Sequence, residues 1–299
     1  MVKLNLEIKP DFFKEEVRCG YRVTSEMKKV WAVELDLLNK LLMVCLKYDI
    51  NIITNGGTML GAVRHKGFIP WDDDIDMMMV RSEYNRLCAV ADREFNYPYF
   101  FQTEYTDRGS IRGHAQLRRS DTTGALSGEI DRKDINQGIF IDIFPLDKVP
   151  ENETEKSWLN KCRHYMECSK TCVRPVGLRS FARGIIKSQS FTPYLRCKGV
   201  NYWYKKYEDE CQKFDNDEDI KKYTIVNFRI YTNDTCFRED WIKNTVLMPF
   251  EMLEVPVPID FKDALTAQYG DWHKLVKGAS LHGNVLFDTD RSYKEVLKY

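Results

Sequence analysis

What this sequence lacks sets its limits. It has no surplus of either charge: Lys plus Arg number 45 and Asp plus Glu number 45. That argues against a general nucleic-acid binder, whose affinity rests on an excess of base. No stretch approaches the roughly 20 apolar residues of a membrane-spanning helix. The opening MVKLNLEIKPDFF holds no apolar run long enough for a secretory signal. There is no C-x-x-C; the nine cysteines are odd in number and scattered, which reads as free thiols in a reducing compartment. Cys162, Cys168 and Cys172, near His164, fit no standard zinc spacing. Neither phosphate loop, G-x-x-x-x-G-K-S/T or G-x-G-x-x-G, occurs, and there is no calcium loop with a closing glutamate. No serine or cysteine sits in a motif that signals a covalent intermediate.

What is present concentrates between Thr54 and Tyr84, TNGGTMLGAVRHKGFIPWDDDIDMMMVRSEY. Asp72, Asp73 and Asp74 are consecutive, and Asp76 follows after Ile75. A strand over 75–80 puts Asp74 and Asp76 on one face and Ile75 in the core. Carboxylates crowded this way repel unless a cation joins them. Mg²⁺, a hard ion that takes oxygen ligands and shares them with phosphate, suits the position, with Mn²⁺ as a substitute. The bland alternative is an acidic turn facing solvent. Upstream, Gly56 and Gly57 let backbone approach a ligand closely, Thr58 offers a hydroxyl, and a helix beginning there turns free N–H groups toward an anion. Arg64 and Lys66 are candidates for phosphate oxygens, or are solvated turn residues.

Farther along, GIFIDIFPLD (138–147) is an apolar strand interrupted by Asp142. A charge among Ile and Phe side chains is costly unless paired or bound to metal, so Asp142 is the third candidate carboxylate. In the ribbon HAQLRRS only one of Arg118 and Arg119 can face a site from a strand. Arg118 is preferred as a phosphate contact, with a plain surface ribbon as the alternative.

The string GGTMLGAVRHKGFIPWDDDIDMMMVRSEY, joined by FIDIFPLD and by PFEMLEVPVPIDFKDALTAQYGDWHKL near the end, resembles the LicD family of phosphotransferases. The resemblance covers about Met27 to Pro150 strongly and Pro249 to His282 moderately. It implies a nucleotidyltransferase-like fold in which the third carboxylate lies on the strand beside the D-x-D. It also implies transfer of a phospho-alcohol, most typically phosphocholine from CDP-choline, onto a surface glycan. CDP-ethanolamine, CDP-glycerol and CDP-ribitol are the alternative donors, and nucleotidyl transfer with pyrophosphate release is the rival reaction. A non-catalytic glycan-binding scaffold is a rival of another kind. His282 falls where the family carries a terminal histidine, its role open.

The expected fold class is α+β: a small mixed sheet flanked by helices, with a mostly helical basic insertion. The expected division is a catalytic core over 1–150, an insertion over 151–222, and a C-terminal strand–helix region over 223–299 completing the catalytic domain. Along the core, Thr24 or Ser25 should cap a largely buried helix to about Tyr48, with Cys19 to Val23 as linker. Ser82 should cap a helix to about Glu94, and Asp147 should brace a turn. Ile225 to Tyr231 reads as a strand. Between Lys156 and Lys206 there are twelve Lys or Arg against one acid, Glu167. That segment is open to three readings: a membrane-surface face on anionic lipid, a wall around an anionic acceptor, or a solvated insertion. The expected partners are a CDP-activated donor and a glycan or lipid-linked glycan acceptor. The expected location is cytoplasmic, with contact to the inner membrane face.

Overall fold

A computed structural model describes residues 1–173, 192–232, 236–277 and 284–298. Its organising strand is β8 (Ile139–Lys148), the FIDIFPLDK segment. Along one edge β8 pairs in parallel with β4 (Asp76–Val80), which in turn pairs antiparallel with the two-residue β3 (Ile53–Thr54). Along the other edge its first half takes β6 (Ala115–Arg119) and its end takes β9 (Lys222–Thr224), both antiparallel. The sheet continues to β5 (Tyr99–Gln102) beyond β6 and β10 (Phe237–Arg238) beyond β9, giving a mixed sheet of seven strands. The α+β expectation holds.

One face of this sheet is covered by α1 (Ser25–Lys47). Thr24 caps it as expected, its hydroxyl accepting the Met27 N–H at 3.2 Å. Trp31, Leu35, Leu38 and Leu41 lie on the buried stripe and join Met77, Ile141 and Ile143 in the main core. Asp36 is tied into the same layer by Arg119 and by the Tyr99 hydroxyl, at 2.8 Å for the latter. It also receives the Asn5 and Leu6 amides, each at 2.7 Å, which straps the extended N-terminal arm to the helix.

Three local expectations need correction. Cys19 to Val23 is not a linker but half of a hairpin, β1 (Glu16–Arg18) with β2 (Tyr21–Val23); Cys19 and Gly20 both take positive φ at its turn. Ile225 to Tyr231 contains a short helix, α7 (Val226–Arg229), because Val226 and Ile230 fill one helical core at a spacing of four. Asp147 does not brace a turn: it is fully buried inside β8 and accepts Arg81 Nε at 2.7 Å and Nη2 at 2.8 Å. The next helix, α3 (Arg81–Glu94), accordingly starts at Arg81, one residue before the expected Ser82 cap.

After β8 the chain forms α4 (Asn152–Val173), α5 (Thr192–Lys198) and α6 (Val200–Cys211). α4 and α6 enclose a second core of Trp158, Cys162, Met166, Tyr204, Tyr207 and Cys211, closed by Val226 and Ile230 of α7. Of the basic segment, 174–191 lies outside the described residues, as does His282. The C-terminal part adds a hairpin, β11 (Thr245–Phe250) with β12 (Leu253–Pro258), and then α9 (Phe261–Tyr269), ended by Gly270 at φ +64. The intervening α8 is Glu239–Lys243. No helix among the described residues is long and apolar enough to cross a membrane.

Candidate active site

The central geometric fact is register. In the parallel β4–β8 ladder Asp76 is the partner of Asp142, so both side chains leave the same face of adjacent strands. Asp142 N–H donates to Ile75 O at 2.9 Å, which fixes that register immediately beside the acidic loop. Of the expected acids, Asp74 groups with Asp72 and Asp73, whose ligand oxygens lie within 4.8 Å of one another; among the described residues that cluster includes neither Asp76 nor Asp142. The Asp72 carbonyl accepts the Trp31 indole N–H at 2.9 Å, so α1 holds the loop from below.

Facing these acids is the start of α2 (Gly56–His65), with Asn55 at its cap and no side-chain cap bond. The two glycines are needed for closeness. Gly56 takes φ +50, and a Cβ there would stand 3.4 Å from Asp76 Oδ2 and 3.6 Å from the Tyr269 hydroxyl; a Cβ on Gly57 would stand 2.5 Å from Asp72 Oδ2. The expected Thr58 hydroxyl is already engaged, accepting the Asp76 N–H at 2.8 Å, with Thr58 buried. It joins α2 to β4 and keeps Asp76 beside the helix start.

The expected basic contacts are placed differently. Lys66 caps the other end of α2 in the left-handed conformation; ten residues at about 1.5 Å rise separate it from the glycines by about 15 Å. Arg64 donates through Nη1 to the Trp272 carbonyl at 2.7 Å and to that of Lys274 at 3.2 Å. It therefore tethers the segment that follows α9, whose last residue, Tyr269, places its hydroxyl near Gly56. Arg118 is a correction to the expected phosphate contact. It is 1% exposed, and donates to Gln102 Oε1 at 2.6 Å, Gly138 O at 2.7 Å and Gln116 Oε1 at 2.5 Å. Burial lowers its pKa to about 9. It has become an internal brace because β6 is covered on both faces, so Arg118 and Arg119 are both enclosed.

The electrostatics divide the acids. Burial, then the charges of Asp74, Asp142 and Asp72, hold the Asp76 carboxyl well above the usual range. For Asp142 burial pushes upward too, but His114, Gln116 and Arg112 outweigh it and the net shift is downward. His114 Nε2 lies 3.1 Å and Gln116 Nε2 2.7 Å from Asp142 Oδ1. Glu34 on α1 is 1% exposed, its Oε2 has no hydrogen-bond partner, and burial with the charges of Asp74, Asp73, Asp72 and Asp142 pushes it well up. Sequence reading missed Glu34, His114, Gln116 and Tyr269. Glu34 carried a usable signal: WAVELDLL buries two acids in an apolar helical stripe, and Asp36 has a partner while Glu34 Oε2 has none. The acids gathered here offer only carboxylate oxygens, crowded by like charge, with one orphaned buried carboxyl, Glu34 Oε2, among them. Such a set fits a hard divalent cation.

A mixed sheet with paired acids on neighbouring strands, opposite a helix opened by two glycines, defines a nucleotidyltransferase-type fold with an acidic cluster of the kind that can hold a metal ion. Comparison with known proteins agrees. Residues 49–187 match the family model described as LicD/FKTN/FKRP, nucleotidyltransferase domain. The chain is similar to the lipopolysaccharide cholinephosphotransferase LicD of Haemophilus influenzae, 26% identical over 257 residues, covering 81% of this chain and 89% of the relative. An uncharacterised protein of Rickettsia prowazekii is 32% identical over 106 residues, 36% of each chain. Residues 49–187 thus resemble a LicD-type nucleotidyltransferase domain, and the similarity to a LicD protein extends over most of the chain.

Proposed function

We propose that this protein transfers a phospho-alcohol, in the first place phosphocholine from CDP-choline, to a hydroxyl of a cell-surface glycan or its lipid-linked precursor, with release of CMP. The observation that carries the reading is the pairing of Asp76 with Asp142 across the parallel ladder, beside the uncapped start of α2. The donor and acceptor classes rest on the similarity to the Haemophilus influenzae cholinephosphotransferase.

Asp74, Asp76 and Asp142 would hold Mg²⁺ or Mn²⁺, with Asp72 and Asp73 beside them. When bound, the cation neutralises charge on the transferring phosphoryl group and acidifies the acceptor hydroxyl. The remaining steps belong to the chain. The first-turn amides of Gly56, Gly57 and Thr58 orient the donor's phosphates. The acceptor oxygen bonds to the phosphorus bearing choline, the bond to the CMP oxygen breaks, and the acceptor's proton passes to Asp142. We assign acceptor recognition to the helical region after residue 150, and place the enzyme in the cytoplasm at the inner membrane face, where a lipid-linked acceptor would be met.

The family model's own description favours a second reading, nucleotidyl transfer with pyrophosphate as product. A panel of CDP-choline, CDP-ethanolamine, CDP-glycerol and CDP-ribitol, with CTP as control and Mg²⁺ present, separates the readings. CMP formation from CDP-choline above the other donors supports the proposal. Pyrophosphate from CTP would replace it with the second reading. Absence of turnover together with absence of Mg²⁺-dependent CDP-choline binding would leave a binding scaffold.

A further inference from the structure

The hydrogen bonds around Asp142 have a fixed polarity that reaches into the helical region. Arg118 carries donors alone, so the Gln116 oxygen must face it and the Gln116 amide nitrogen must face Asp142. The same logic runs outward: Gln102 gives its oxygen to Arg118 Nε and its nitrogen to Asp107 Oδ2, at 2.7 Å. The second arm is His114. An ionised Asp142 accepts and cannot donate, so His114 Nε2 bears the proton in their 3.1 Å contact. Its other ring nitrogen, Nδ1, meets the Asn227 amide at 3.1 Å. His114 is also packed against Phe144 with ring centroids 4.5 Å apart. Both arms end on Oδ1 of Asp142, and the carboxylate keeps 14% of its side chain exposed.

Asn227 lies on α7, outside the span that matches the family model. Its neighbours Val226 and Ile230 are part of the helical core. The loop that delivers His114 is fitted against that core as well: a Cβ on Gly113, at φ +86, would come 2.7 Å from Asn227 Cβ and 2.9 Å from Met166 Cε. Gly113 N–H is held by Glu104 Oε1 at 2.5 Å. A histidine enclosed on both ring nitrogens, on a loop that tolerates no side chain at the preceding residue, has one orientation.

We propose that Asn227 and His114, with Gln116 locked by Arg118, form a positioning relay that fixes the Asp142 carboxylate through Oδ1 and presents Oδ2 to the reaction. The helical region thereby contributes a residue to the catalytic geometry besides its proposed contact with the acceptor. Outer hydrogen bonds of this kind orient metal-binding groups, and their loss typically lowers activity or metal affinity about 10- to 100-fold. This inference rests on the proposed function for its kinetic arm, but its metal-binding arm does not.

The test uses the full chain and three variants: His114→Ala, Asn227→Ala and the double. CMP release from CDP-choline should show kcat lowered about 10- to 100-fold in each single variant, with KM nearly unchanged. The double variant should lose no more than the more damaging single, since both act through one ring. His114→Gln, which keeps a donor in reach of Oδ1, should recover a large part of the loss. Mn²⁺ affinity, read by electron paramagnetic resonance with no donor present, should weaken about tenfold in both singles. Unchanged Mn²⁺ affinity with kcat near wild type, or losses that multiply in the double, would overturn the relay. Should His114→Ala fail to fold by circular dichroism, Asn227→Ala and Gln116→Leu carry the same test. Should no CDP-alcohol turn over in the unaltered protein, the proposed function falls while the Mn²⁺ measurement still decides the relay.

Discussion

At the scale of single residues, partner chemistry separates a matched buried charge from one crowded by its own kind. Arg81 with Asp147 and Arg119 with Asp36 are buried and matched. Asp76 and Glu34 are enclosed among like charges, and both are pushed up by burial and those charges. Asp76→Asn and Asp142→Asn should therefore each abolish turnover, by about a thousandfold or more if the cation supplies several kcal/mol of transition-state stabilisation. Circular dichroism should show the fold intact, because each change removes charge with little volume. Activity of either variant within about tenfold of the unaltered protein would remove that residue from the reacting set. Asp142 was legible in the sequence because a lone acid stands out within a strand of Ile and Phe. Arg118 was misleading for the converse reason: a strand's alternation predicts one outward arginine, and nothing in the local pattern shows that β6 is covered on both sides.

At the scale of elements, the sequence was most legible where one pattern dominates. The cap and stripe of α1, the glycine start of α2 and the long apolar β8 all follow from local rules. The helix at Val226–Arg229 did not, since its apolar residues suit a strand until the helical core is known. The loop between β5 and β6 holds a pH-sensitive fastening. Burial raises the Glu104 pKa to about 7 from its ordinary 4.5, against the stabilising Gly113 N–H. The unfolded chain thus loses this proton near 4.5 while the folded chain keeps it to about 7, so this group's contribution to stability falls as pH rises through that window. Glu104→Gln, which keeps the accepting Oε1, should flatten the decline of melting temperature between about pH 5 and 8. A variant whose melting curve tracks the unaltered protein across that range would show that Glu104 is not the titrating group.

At the scale of the whole molecule, two cores share one sheet. The larger gathers α1, the sheet and the C-terminal hairpin; the smaller lies between α4, α6 and α7. Trp158 anchors the second, with its indole N–H on Glu210 O at 2.7 Å and its ring edge-on to Phe214. Trp158→Ala should cost about 3–5 kcal/mol in urea unfolding. If the two cores unfold together, the loss appears as one shifted transition; if separately, as an early transition carrying the helical signal. The composition of this region was visible from its run of basic residues, but its attachment was not, because Asn227 and His114 are far apart in the chain and meet through packing of a helical core against a loop.

That attachment has a practical consequence for building hybrids. If the segment after β8 reads the acceptor, as proposed above, exchanging it between relatives is the natural way to change acceptor. In this protein such an exchange would also remove the amide that touches His114 Nδ1 at 3.1 Å. On the proposed relay, a chimera that neglects position 227 would turn over slowly whatever its acceptor, and restoring asparagine there is the first repair to make.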